Sequence, residues 1–338
     1  MTTIYLIRHA EAEGNLCRRI HGQYDTNVTP KGMVQIAELR KRFETISVDA
    51  CYASDLTRTK TTAQAICLPK GLELHADPAF REVNLGVWEG LPFGYLNTFE
   101  QESMHRFNQD PQNWHVEQGE DFEQYTGRFL AGLERIARNH PEQTVAVVSH
   151  AAVMRGVFLR LFPDLVPTHS DNTAVTKLAW EQGTFQMIYC NDSSHLEAGK
   201  STLRRQKWQQ QDGAQGDDTL WFQPGLQPAE TLAAVEGAWT FTALEGQRPV
   251  GHLTLSEDST DTGRIDDLSL VPSYRGFGLG IQLLGQAIFT MRPLGKRWLR
   301  IRIPKENPAL EKLCAQLAFV PEESGDWVLD LPVRVRPI

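Results

Sequence analysis

Apolar positions along the first 190 residues switch between two spacings, and the switching predicts strands interleaved with helices. Thr3-Ile4-Tyr5-Leu6-Ile7 is a β-branched, apolar run of strand length. A loop rich in glycine, asparagine and charge follows from Ala12 to Pro30. Thr29 then suits an N-cap and Pro30 a first helical position, with Ile36, Leu39, the Arg40 stem and Phe43 on one stripe. Val48 to Ala53 reads as a short strand, and Ser54-Asp55 as the cap of a helix carrying Leu56, Arg58, Ala63 and Ile66. Phe122, Tyr125, Phe129, Leu133 and Ile136 keep helical spacing. Thr144 to Ser149 reads as another buried strand, and Val153, Val157 and Leu161 as the helix behind it.

From Gln206 to Asp218 the chain turns polar and glycine-containing, the profile of an exposed linker. A second αβ pattern follows. Residues alternate from Trp239 to Leu255, a strand spans Ile265 to Val271, and a helix runs from Gly276 to Met291. Another strand, Trp298 to Ile303, precedes a helix from Asn307 to Leu317. The expectation is an α/β chain of two domains, 1–205 and 219–338, joined by a linker at 206–218; 338 residues suffice for two cores. The formal net charge of −8 leaves no overall basic field for nucleic acid or an anionic membrane. No apolar run approaches the roughly 18–20 residues that span a bilayer. The five cysteines are scattered, without a Cys-x-x-Cys, which suits free thiols in a reducing cytoplasm.

Chemistry enters at the strand ends. Arg8 and His9 follow the first strand, and His150 follows Thr144 to Ser149. Open α/β sheets place ligands beyond the carboxyl ends of their strands, so two such ends would build one site. Neutral imidazole is a nucleophile at pH 7, and the arginine fork matches phosphate oxygens. Arg-His alone suits a charged strand end equally well. Arg58 near a helix start and Glu82 in Arg81-Glu82-Val83-Asn84-Leu85-Gly86-Val87-Trp88-Glu89-Gly90 shift the reading toward phosphoryl transfer. In that chemistry His9 attacks phosphorus, cationic donors stabilise the equatorial oxygens, and Glu82 moves the proton. Cationic side chains take the part a metal plays elsewhere, so no metal is expected.

Together and in this order, these motifs resemble the histidine phosphatase superfamily, the phosphoglycerate-mutase-like phosphatases, over roughly Met1 to Arg204. The resemblance implies a three-layer αβα domain. It makes His9 the phosphorylated nucleophile, Arg8, Arg58 and His150 the phosphate pocket, Glu82 the proton donor and Asn15 a supporting phosphate or substrate contact. Asn172-Thr173-Ala174-Val175 and Ser194-His195-Leu196 are similar to the family's late elements. Val83 to Gly90 resembles the phosphatase branch, acting on a small phosphorylated metabolite; a phosphoglycerate-type mutase is the second reading. Glu89 is expected to be structural, and His21, His105 and His169 to lie on the surface. Tyr95, His105, Phe107 and Trp114, between Phe93 and His115, are expected in a substrate-facing lid.

Leu268 to Gly280 carries Val271-Pro272-Ser273-Tyr274-Arg275-Gly276-Phe277-Gly278-Leu279-Gly280 between a strand and a helix. This run resembles the GNAT-type N-acetyltransferases, and the likeness implies a smaller mixed α/β domain. Arg275, Gly276, Gly278 and Gly280 would hold the pyrophosphate of acetyl-CoA, with Asn307 a later cofactor contact. Three departures bear on catalysis. Cys314 stands where the family often has a tyrosine acid, Ala318 replaces the usual glycine before Phe319, and the stretch before Trp239 leaves room for one strand and a short helix only. Acetyl transfer, or acetyl-CoA sensing, is the third reading.

Overall fold

The computed structural model describes residues 1–165, 170–203, 219–225, 238–304 and 307–338. The expected linker at 206–218 and His169 lie outside the described residues. In chain order the first unit runs β1 (Thr2–Arg8), α1 (Glu13–Cys17), α2 (Pro30–Phe43), β2 (Ala50–Ala53), α3 (Thr57–Lys70), β3 (Leu74–Ala76), α4 (Phe93–Phe99), α5 (Gln101–Gln109), α6 (Phe122–Asn139), β4 (Thr144–Ser149), α7 (Ala151–Leu161), β5 (Val175–Glu181) and β6 (Thr184–Asp192).

Its sheet has the order β3-β2-β4-β1-β5-β6. β1 pairs with β4 in parallel and with β5 antiparallel, so it is flanked on both edges. Both its faces are buried as well. Ile4 and Leu6 join the core beneath α6 and α7, while Tyr5 and Ile7 join the core beneath α2 and α3. Val145 and Val147 of β4 face the first of these cores, Ala146 and Val148 the second. Burial on two sides explains the unbroken apolar runs and yields a three-layer αβα unit. Because β1 and β4 are parallel, their carboxyl ends lie at the same sheet edge.

Two helix readings change. Thr29 does cap α2, its hydroxyl accepting from the Gly32 N–H at 3.0 Å, worth about 1 kcal/mol. Arg40, however, is exposed. The buried place is taken by Gln35, whose side chain accepts from the Glu11 N–H and donates to Thr202. Helix α3 starts at Thr57 rather than behind a Ser54-Asp55 cap. Asp55 pairs with Arg81, and the Asp25 carboxylate from the first loop accepts the Thr57 N–H at 3.0 Å.

The second unit runs β7 (Trp221–Pro224), β8 (Ala238–Glu245), β9 (Arg248–Glu257), β10 (Thr262–Leu270), α8 (Gly280–Met291), β11 (Trp298–Arg302), α9 (Pro308–Gln316), β12 (Val320–Pro321) and β13 (Asp326–Asp330). The sheet order is β12-β13-β11-β10-β9-β8-β7, with β10 and β11 parallel across the α8 crossover. Gly276 and Gly278 adopt φ of +83° and +81°, so α8 starts at Gly280, later than the Gly276 start its pattern predicts. One face of this sheet buries Phe241, Leu253, Leu255 and Ile265 against α8 residues Leu284 and Ile288. The core does not stop at the unit's edge: Cys17 of α1 belongs to it, with Leu16 and Tyr24 packed against it.

Candidate active site

β1 and β4 deliver His9 and His150 side by side, their ring centroids 5.1 Å apart. The register is held by the His9 N–H donating to Ser149 O at 2.9 Å and the Asn172 amide donating to His9 O at 2.9 Å. His9 Nδ1 lies 2.7 Å from the Ala10 carbonyl. A carbonyl only accepts, so Nδ1 carries the proton and Nε2 keeps its lone pair. Burial, with the Arg58 and Arg8 charges behind it, holds the His9 pKa well below the ordinary imidazole value. The ring is therefore neutral at pH 7.

Arg58 projects from the first turn of α3 and is fully buried. Its Nη1 and Nη2 donate to the carbonyls of Tyr24 and Gly22 at 3.0 and 2.6 Å. Burial pushes its pKa down to about 10, with Asp25 the largest opposing influence, so it stays cationic. Arg8 donates Nη1 to Ser170 O. What remains is informative: Arg8 Nε, Arg58 Nε and both ring nitrogens of His150 are buried with no hydrogen-bond partner among the described residues. An unpaired buried polar atom costs about 1–3 kcal/mol, and with His150 neutral these four atoms are three N–H donors and one acceptor.

Glu82 sits at the start of α7, near enough to act on the charges of Arg8 and Arg58. Its Oε1 accepts from the Val153 N–H at 2.7 Å and the Val83 N–H at 3.0 Å, its Oε2 from the Ala152 N–H at 3.1 Å. A helix N-terminus is a natural seat for a carboxylate. Glu89 braces the first loop, accepting from the Gln23 and Leu85 N–H groups at 2.7 and 3.1 Å. Asn15 turns its Oδ1 to the Ala12 N–H at 3.0 Å and closes the start of α1.

His21 departs from its expected surface place. It is 8% exposed, and its ring lies 6.3 Å from that of His9. Gly14 makes room for it, since a Cβ there would lie 2.0 Å from His21 Nε2. Burial and the two arginines push its pKa well below normal. The sequence signal for His21 was a histidine in a polar loop, which a solvated loop would share. His105 is exposed on α5, as expected. Phe107 and Trp114, expected in a substrate-facing lid, pack with the core instead: Trp114 is buried, 5.3 Å from Trp88 and 4.8 Å from Phe107. Tyr95 turns away to β7, 6.2 Å from Trp221.

At the second glycine turn the picture is open. Arg275, Gly276, Phe277 and Gly278 are exposed, and a Cβ at Gly276 or Gly278 would meet nothing within 4 Å. Arg275 Nε is engaged by Leu270 O at 2.7 Å. Asn307 caps α9, its Oδ1 accepting from the Leu310 N–H at 3.2 Å. Cys314 is fully buried, and burial pushes its thiol up to about 12. It is a core residue.

The family description "Histidine phosphatase superfamily (branch 1)" matches residues 4–193, more than half of the chain. The chain belongs to the histidine phosphatase superfamily. A second description, the acetyltransferase (GNAT) family, matches residues 203–319, so the chain is a fusion of the two. Among curated relatives, phosphoserine phosphatase 1 of Hydrogenobacter thermophilus is 29% identical over 200 residues, covering 58% of this chain and 95% of its own length. A probable phosphoglycerate mutase, GpmB, of Erwinia tasmaniensis is 30% identical over 208 residues, 58% of this chain and 96% of its own. Among solved structures, Bacillus stearothermophilus YhfR superposes with a TM-score of 0.55 at 30% identity, over 58% of this chain and all of its own. These likenesses place the histidine phosphatase unit in the first part of the chain, where His9, Arg8, Arg58, Glu82 and His150 converge.

Proposed function

We propose that the first unit is a phosphomonoester hydrolase working through phosphohistidine at His9, with Arg8, Arg58 and His150 binding the phosphoryl group and Glu82 carrying the proton. The three buried, unpartnered donors beside a neutral His9, namely Arg8 Nε, Arg58 Nε and the one N–H of a neutral His150, are the observation that carries this reading. Nδ1–H, held by the Ala10 carbonyl, leaves Nε2 to attack phosphorus as the ester P–O bond breaks. The departing alkoxide takes a proton from Glu82. Water then attacks phosphorus while Glu82 takes its proton, the P–Nε2 bond breaks with its electron pair returning to the ring, and orthophosphate leaves with His9 restored. The cationic donors supply the charge stabilisation that dominates phosphoryl transfer. Metal independence is part of this proposal, resting on the cationic donors named above. The five free cysteines favour a cytoplasmic setting, and no helix among the described residues is long and apolar enough to cross a membrane.

Substrate choice is tested with a panel of small phosphorylated metabolites in excess chelator. It includes phosphoserine and phosphoglycerate, which the relatives' names carry. Release of orthophosphate with trapping of phosphohistidine is expected. Phosphoryl movement within phosphoglycerate without release would favour the mutase, and activity that needs a divalent metal would overturn metal independence. For the second unit, the exposed turn has space at Gly276 and Gly278 for a pyrophosphate against the start of α8. Acetyl-CoA would supply an activated acetyl group there. With Cys314 in the core and Asn307 spent as a cap, acetyl-CoA binding with slow or absent transfer is the reading that fits.

A further inference from the structure

The phosphate donors of Arg58 are aimed by a loop, and the loop is aimed by the second unit. Arg58 ends on the carbonyls of Gly22 and Tyr24, so the path of residues 12–28 decides where its free Nε points. Within that stretch only the five residues of α1 are helical. The outer side of the loop rests on one face of α8, the face of Gly285, Gln286, Phe289 and Arg292, which share the near-helical spacing of a single stripe. Arg292 grips Glu13 with both Nη atoms at 2.9 Å, Glu13 being buried. Phe289 stacks on Tyr24 with centroids 5.1 Å apart and planes 19° apart. The Arg19 guanidinium lies 4.6 Å above Phe289 and donates to Gln286 at 2.9 Å. Cys17 fills the space over Gly285, where a Cβ would come within 2.5 Å of it. Beyond β13, Pro332 O and the Arg334 N–H bind the two ends of the Asn27 amide at 3.0 Å each.

We propose that Arg292 and Phe289 are positioning residues of the phosphatase site, acting on Arg58 through Glu13 and Tyr24. The inference rests on the phosphatase reading of that site. A buried bidentate pair fixes direction more than it stabilises. Aromatic stacking on the residue whose carbonyl receives Arg58 fixes the loop at a second point. The second unit thereby completes the first unit's phosphate pocket without contributing a group that touches the substrate.

The test uses the full chain with orthophosphate as the binding probe, measured by calorimetry, and turnover of the best ester from the panel. Arg292→Met, Arg292→Lys and Glu13→Gln/Arg292→Met are compared at a temperature where circular dichroism shows all of them folded. Arg292→Met is expected to weaken orthophosphate and lower kcat/KM by about tenfold to a hundredfold, the scale of a small misplacement. Arg292→Lys should recover part of the loss. The double variant, free of an unpaired buried charge, should regain thermal stability and keep the catalytic loss, which a purely adhesive role would not produce. Should Arg292→Met fail to fold, the double variant and Phe289→Leu decide by the same readouts. Orthophosphate affinity and kcat/KM within about twofold of the parent in the folded variants would overturn the proposal. A parent that hydrolyses no ester removes the proposed function, while orthophosphate affinity still decides the positioning. A parent that does not bind orthophosphate overturns both.

Discussion

Two turns in this molecule follow a strand, carry an arginine and lead to a helix start, yet they differ in what surrounds them. Around His9 the donors are buried, aimed by carbonyls of a braced loop and left without partners. Around Gly278 the backbone is exposed and the nearby side chains are engaged elsewhere, Arg275 on Leu270 and Asn307 on its own helix. A buried donor strengthens an ionic contact because little water competes, whereas an exposed turn offers shape and a helix dipole in solvent. The difference is between buried donors shielded from water and a backbone turn open to it.

The sharpest break in that comparison comes from His9→Ala. Loss of an obligatory nucleophile should lower turnover by on the order of a millionfold, with no phosphohistidine trapped after acid-free quench. Near-parental activity in that variant would place the chemistry elsewhere. Glu82→Gln should slow alkyl phosphates by about a hundredfold or more and aryl phosphates much less, since a phenolate leaves with little help. Equal losses for both would remove Glu82 as proton donor. At the other turn, Gly278→Glu should weaken acetyl-CoA by roughly tenfold or more, about 1.4 kcal/mol, with phosphatase activity retained. Unchanged acetyl-CoA affinity would put any cofactor site away from the turn.

The smallest effect separates the regions by pH. His9, His21 and His150 are held well below the ordinary histidine value, chiefly by burial, and burial pushes His195 down to about 4. The unfolded chain takes up protons near pH 6.5 that the folded chain excludes. Stability is therefore full above about pH 6.5 and falls as the pH drops below it. In a buffer free of phosphate, Tm should decline by several degrees between about pH 7 and 5.5. The decline should flatten in His21→Gln. A pH-independent Tm over that window would contradict the burial of these rings.

The first site was legible because its residues sit at strand ends, where backbone periodicity fixes position before any contact is known. Arg8, His9 and His150 are of this kind. Arg58 was placed at a helix start, although its helix begins after Leu56 rather than at a Ser54-Asp55 cap. The missing parts lie in loops. His21 and Asp25 belong to a stretch whose polarity reads as solvent exposure, and only long-range packing buries one and turns the other onto α3. Tyr95 had the composition of a lid residue, and its partner Trp221 lies far along the chain. The α8 contacts were illegible for the same reason, since Glu13 and Arg292 pair across 279 positions.

That separation along the chain also has a consequence in time. Leu16, Cys17 and Tyr24 leave the ribosome early, but the core that receives them is closed by α8 and by strands made far later. At about 5–20 residues per second, the 267 residues from Tyr24 to Met291 leave this apolar strip uncovered for roughly 13 to 53 seconds before α8 exists to cover it. During that interval the strip is a surface for chaperones, or for a second nascent chain.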